Sequence, residues 1–164
     1  MDKVQEMLIK MLKRNPFFKN ISDEELLKFS NLFKLGMSNQ NEAIIIEWHI
    51  PDKIYVAKNW KFIAKKANGL KSVTLWEVEE WKVFGEMSYF YKKPAMASVV
   101  CESPSCAYWE ISREDFEKFL QENPEIAQQI ADELRKREKE NQEKLGWNFQ
   151  IQKNNNDEIE INLD

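Results

Sequence analysis

The chain opens on a helical rhythm. Val4, Met7, Leu8, Met11 and Leu12 recur at three- and four-residue spacing, which predicts a helix over Asp2–Arg14 that stops at Pro16. Ser22 opens a second helix as an N-cap, with Glu25 three residues on to complete a reciprocal capping box. Leu26, Leu27, Phe29 and Phe33 supply its apolar positions, and Gly36 is expected at its end. From about Gly36 to Ile111 the period shortens. Runs at 43–46, 54–56, 62–63, 73–76, 98–101 and 107–109 read as short strands, separated by Asn, Asp, Gly, Pro and Lys at intervals that suit an antiparallel sandwich or barrel. The stretch Phe84–Tyr91 breaks that rhythm and reads as a turn followed by one turn of helix.

Helix returns at Ser112, with Glu114 and Asp115 in the first turn, where the helix dipole favours acids. Asn123-Pro124 interrupts it and starts another, in which Ile126, Ile130 and Leu134 align. Beyond Leu134 the stripe ends: Arg135 to Lys144 is almost wholly charged or amide, a solvated helix or one awaiting a partner. From Gly146 the pattern alternates, through Trp147, Phe149 and Ile151 and again through Ile159, Ile161 and Leu163. That tail is read either as an acidic segment without fixed structure, or as a hairpin or strand that adds to a partner's sheet edge.

Composition narrows the classes. With 164 residues and 43% hydrophobic, the chain suits one domain with a true core. A net charge of −4 leaves no general basic footprint for nucleic acid. No apolar run approaches the ~20 residues of a membrane span, and Met1–Lys13 has no signal-peptide core. Cys101 and Cys106 are the only cysteines and favour two reduced thiols, hence a cytoplasmic setting; organelle or cilium association stays open, and so does a bridge between neighbouring hairpin strands. His49 is the sole histidine, so neither a metal site nor a nucleophile–histidine pair is expected, and no catalytic residue is assigned. Glu77, Glu79 and Glu80 read as strand-end and loop solvation rather than as an acid–base pair.

Helices, short strands with one helical turn embedded late, then helices again is the order in which a family resemblance enters. Leu12–Leu26, with its Pro16-Phe17 knot before a capped helix, resembles the lead-in of cyclic-nucleotide-binding domains. Asp52-Lys53-Ile54-Tyr55-Val56 is similar to a strand of that family, and Phe84–Val99 resembles its phosphate-binding cassette almost end to end. Ile111-Ser112-Arg113-Glu114-Asp115-Phe116 is similar to the start of its C-terminal helices. The resemblance covers roughly Leu12–Arg137. It implies an α+β fold, an eight-stranded jelly-roll-like β-roll flanked by helices. The expected division is 1–35 N-terminal helices, 36–111 β-roll with the cassette near 84–99, 112–145 C-terminal helices, and 146–164 acidic tail.

The resemblance also implies a ligand site. A cyclic nucleotide presents a phosphate, a ribose hydroxyl and a base; the cassette meets the phosphate with backbone N–H groups at a short helix and with an arginine fork. Gly85, Glu86, Ser88, Ala95 and Ser98 occupy the matching positions, with Glu86 as acceptor for the ribose hydroxyl. Where the family has its arginine this chain has Ala95. Loss of one partner from such a buried pair costs about 2–5 kcal/mol, roughly 30-fold to several thousand-fold in affinity. Lys92 and Lys93 are candidate phosphate substitutes, though a lysine lacks the planar fork. Apart from any ligand, Glu86 also reads as an acid favoured in a first helical turn, and Gly85 as a turn glycine.

Trp48, Trp60 and Trp81 stand near turns where the family favours glycine, as does Asn59, which can adopt a left-handed turn at little cost. The tryptophans fill the core, fill the former pocket, or form contact surface. The reading that results is a non-enzymatic regulatory or scaffold subunit, without cofactor or with weak cAMP or cGMP binding alone. It would meet a protein partner through Trp147–Leu163 and exposed tryptophans, with no nucleic acid and no membrane insertion. The alternative is a working cAMP or cGMP sensor that regulates a partner in trans.

Overall fold

The computed structural model describes residues 2–145, with the backbone alone at 137, 138 and 140–145. Helix α1 (Lys3–Arg14) begins where the Asp2 side chain accepts from the Gln5 N–H at 2.7 Å. It buries Leu8 and Leu12 and stops at Asn15, whose side chain caps a 3₁₀ turn over Pro16–Phe18. Helix α2 (Asp23–Ser30) is capped by Ser22, whose Oγ accepts from the Glu25 N–H at 3.2 Å. The reciprocal arm of the expected box is replaced by an ion pair: the Glu25 carboxylate turns to Lys28, at 3.5 Å.

Eight strands follow: β1 (Lys34–Asn39), β2 (Ala43–Ile45), β3 (Lys53–Asn59), β4 (Phe62–Asn68), β5 (Lys71–Val78), β6 (Val83–Phe84), β7 (Ser98–Cys101) and β8 (Ser105–Ser112). Helix α3 (Glu86–Tyr91) sits between β6 and β7; α4 (Arg113–Glu122) and α5 (Pro124–Leu145) close the described chain. One sheet has the order β1-β8-β3-β6 and the other β2-β7-β4-β5, with every neighbouring pair antiparallel.

β3 and β8 carry two cores. Ile54, Val56, Trp109 and Ile111 pack on the helices, where Phe29 stacks on Phe119 at 4.3 Å and Ile126, Ile130 and Leu134 are all buried. The alternate side chains Tyr55, Ala57, Cys106 and Tyr108 join Ile45, Phe62, Phe84 and Val99 inside the roll. Burial on both faces explains why β3 reads as a continuous apolar run rather than an alternating one. Each large side chain so buried contributes about 1.5–3 kcal/mol.

Two local expectations are corrected, and one permitted conformation is not used. Gly36 does not end α2, which closes at Asn31; it lies within β1, opposite Tyr108 of β8, where any Cβ would overlap the Tyr108 ring. Asn59 takes no left-handed turn, and the Asn59–Trp60 peptide is cis. Cys101 and Cys106 are not free thiols. They form a disulfide with Cα atoms 5.9 Å apart, inside the usual span of about 4.4–6.8 Å. Their strands belong to different sheets, so the bridge joins the two layers rather than two arms of a hairpin. The compartment argument built on reduced thiols falls with that correction. Among the described residues no helix is long and apolar enough to cross a membrane. The two readings of the tail lie outside the described residues.

Candidate functional site

β6 delivers the chain to the cassette. Its pairing with β3, Phe84 opposite Tyr55, sets Gly85 at the strand end with φ +89°. The conformation calls for glycine, and a Cβ there would stand tightly, 3.2 Å from Ile45 Cδ1 and 3.3 Å from the Lys53 carbonyl. α3 follows without a side-chain cap and ends at Lys92, a left-handed residue (φ +52°) whose N–H donates to the Ser88 carbonyl. Glu86 and Ser88 are buried on this short helix.

Ala95 is buried in the roll-interior cluster with Ile45, Tyr55, Phe84 and Val99. Its backbone is also engaged: the N–H donates to the His49 carbonyl at 2.8 Å, and its carbonyl accepts from the Trp48 N–H at 2.7 Å. The segment bearing Ala95 is thereby tied to the β2–β3 loop. Lys92 and Lys93 are both exposed, and their backbone N–H groups donate to the Ser88 carbonyl.

A different cation stands beside the cassette. Lys66 of β4 reaches Glu47 at 3.3 Å and the Met96 carbonyl at 3.5 Å, and lies 5.0 Å over the Trp48 ring. Its side chain is 17% exposed and that of Glu47 9%, so the pair is shielded from solvent. The Glu47 carboxylate also accepts from the Ala67 N–H at 2.9 Å, and the Glu47 N–H donates to Ser98 Oγ at 2.9 Å. Ser98 thus serves the loop. Lys66 is answered within the chain, and an incoming phosphate would compete with Glu47 for it. Nothing local in the sequence marks this pair, whose members are nineteen residues apart on different elements.

Arg113, at the start of α4, clamps α3. Its guanidinium donates to the Pro51 carbonyl at 3.2 Å and the Ser88 carbonyl at 3.4 Å, and lies 5.3 Å over Tyr89. Tyr55 stacks on Phe84 at 5.0 Å; burial holds its phenol well above the usual range, with Glu110 and Asp52 adding to the effect. Burial, then Glu110, also raises Tyr108.

The tryptophans divide. Trp109 is core. Trp48 is 68% exposed and Trp60 61%, which corrects core filling for both. Trp48 and Trp81 take positive φ, +71° and +61°, an unusual conformation for bulky side chains. Ile46, Trp48 and Ile50 on the β2–β3 loop, with Met96 next to Ala95, are exposed together at the edge of the cassette. Among the described residues no group of three His, Cys, Asp or Glu side chains is placed to hold a metal ion.

Two antiparallel sheets closed by helices, with an uncapped Gly-Glu turn of helix before β7, define a β-roll of the cyclic-nucleotide type. The profile of the cyclic nucleotide-binding domain family matches residues 39–123, just over half the chain, and the protein belongs to that family. A cAMP-dependent protein kinase regulatory subunit from Pyricularia oryzae is 23% identical over 127 residues, covering 72% of this chain and 33% of that relative. The chain therefore spans about a third of its length.

Among solved structures, the catabolite activator protein of Thermus thermophilus superposes with a TM-score of 0.70 at 23% identity, over 79% of this chain and 61% of the other. The regulatory subunit of a cAMP-independent protein kinase A from Trypanosoma brucei gives 0.65 at 18% identity, over 71% and 42%. Likeness at these identities establishes the fold alone.

Proposed function

We propose that this chain is a non-enzymatic regulatory or scaffold subunit of a larger protein assembly that has kept the cyclic-nucleotide fold and lost high-affinity cAMP and cGMP binding. The observation that carries the reading is Ala95. It stands where the arginine fork is needed, is buried among apolar side chains, and has both backbone groups bonded to the β2–β3 loop. Lys92 and Lys93 are exposed, and Lys66 is already paired with Glu47. Among the described residues, a phosphate entering the cassette would meet no arginine at position 95 and would lie near the buried Glu86.

The exposed group Ile46, Trp48, Ile50 and Met96 supports a protein partner, since aromatic and apolar side chains of this kind anchor contact surfaces. The kinase subunit from Trypanosoma brucei, described as cAMP-independent, is a precedent for a family member of that description.

The test is calorimetric titration of the whole chain with cAMP and cGMP. No saturable heat is expected up to millimolar ligand. Micromolar binding, abolished by Glu86→Ala, would overturn the proposal and establish the alternative, a working sensor.

A further inference from the structure

A cavity of about 570 Å³ opens where four segments meet, and none of its walls comes from residues 84–99. Lys13 and Arg14 at the end of α1, Lys19 just past the 3₁₀ turn, Lys82 before β6, and Lys136 on α5 all line it, with Glu133 as the sole acid of the lining. Asp23 adds one more carboxylate by pairing with Lys13 at 2.6 Å. Five cations thus face two acids in a chain whose net charge is −4. Like charges gathered in a concavity repel one another, and their fields focus there on an incoming anion.

The walls are tied together before any ligand arrives. Asn15, also in the lining, is 2% exposed. Its Oδ1 accepts from the Phe17 N–H at 3.1 Å, and its Nδ2 donates to the Trp81 carbonyl at 3.4 Å. The Arg14 guanidinium lies 5.6 Å over the Trp81 ring. Lys82 is held through its backbone, donating to the Glu79 carbonyl and accepting from the Ala57 N–H. The indole N–H of Trp81, next to Lys82, is buried without an acceptor among the described residues.

We propose that this cavity binds a compact polyphosphate, independently of the cassette. The size falls within the usual range of about 300–1,000 Å³ for small-ligand sites. The lining selects charge rather than a base: it holds no aromatic side chain among the described residues, and the face of the adjoining Trp81 is taken by Arg14. It also favours phosphates over an acidic peptide. Same-face carboxylates on an extended strand lie about 7 Å apart, whereas linked phosphates concentrate their charge in one volume, which suits a single concavity lined by five cationic residues. A free inorganic polyphosphate and the phosphate chain of a nucleotide share this chemistry.

The experiment titrates the whole chain with inorganic tripolyphosphate, ATP, cAMP and a glutamate-rich peptide, at about 0.05 M and about 0.15 M salt. Saturable one-to-one binding of tripolyphosphate is expected, weaker at the higher salt. Comparable binding of ATP would mean that the phosphate chain suffices; no binding of ATP would restrict the ligand to inorganic polyphosphate. Lys82→Glu and Lys136→Glu should each weaken binding about tenfold or more, while Lys92→Glu, on the cassette loop, should change it less than about twofold. Lys19→Gln, on an exposed turn, repeats the test if either charge reversal unfolds the chain. Absence of saturable binding, equal loss with Lys92→Glu, or tighter binding of the peptide or of cAMP would overturn the proposal. Since Ala95 and Glu86 take no part, cAMP indifference and polyphosphate binding succeed or fail separately.

Discussion

At the cassette, Ala95 stands where the family resemblance expects an arginine fork. Ala95 lies in the apolar interior, and Lys66, which reaches the Met96 carbonyl beside it, is paired with Glu47. At the basic cavity, no family motif announces a site, yet five cations from separate segments line one concavity. Under the two proposals, anion recognition in this molecule follows an excess of positive charge rather than the backbone frame of the cassette. A helix start with free N–H groups is a modest contributor, about 0.3–1 kcal/mol in exposed settings. A net charge of −4 likewise says nothing about where the cations gather.

That contrast can be broken most forcefully at residue 95. Ala95→Arg would bury a guanidinium among Ile45, Tyr55, Phe84 and Val99, and a loss of about 3–5 kcal/mol is expected by urea unfolding. A loss below about 1 kcal/mol would mean that the cassette opens to solvent and keeps room for a ligand. Next in size is Lys66→Ala, which leaves the shielded Glu47 carboxylate without its cation; about 3 kcal/mol should be lost, with Lys66→Met no better. In Glu47→Gln the lysine is freed instead. Calorimetry that then detected cAMP would identify internal neutralisation, rather than the missing fork, as the chief block.

Replacing both Cys101 and Cys106 by alanine should cost about 2 kcal/mol, the chain-entropy value for so short a loop, without creating nucleotide binding. Unfolding midpoints with and without reductant check this, and an unchanged midpoint would mean the bridge is not formed. The smallest expected effect is a pH dependence. Folding raises the Tyr55 phenol pKa above its unfolded value, by burial first and then by Glu110 and Asp52. The unfolded chain ionises first, so stability should be level below about pH 10 and fall as pH rises from there toward the folded value. Thermal midpoints across that window measure the slope, which Tyr55→Phe should flatten.

What the sequence made legible was local. Ser22 and Ser112 cap their helices because a hydroxyl and an N–H three residues on are all that a cap requires. Ile126, Ile130 and Leu134 share a face by helical geometry alone, and Gly85 turns where the cassette resemblance put it. The misses depend on contacts between distant segments. Gly36 looked like a helix end because nothing near it mentions Tyr108, seventy-two residues away on the adjoining strand. The cysteine pairing followed from the strands lying in opposite layers, and the Glu47–Lys66 pair from the loop folding over β4. The basic cavity joins residues from 13 to 136, a span no pattern window covers.

Gly36 has one consequence beyond the shape of β1. The ring that lies across its bare Cα belongs to Tyr108, which meets Tyr55 at 5.4 Å and Phe62 at 6.3 Å, while Tyr55 in turn stacks on Phe84 next to Gly85. A methyl group added on this outer strand would push on a train of aromatic rings that ends at the cassette. A position that looks like a tolerant edge residue is mechanically geared to the cassette, so the effects of substitutions at 36 and at 85 are expected to be coupled.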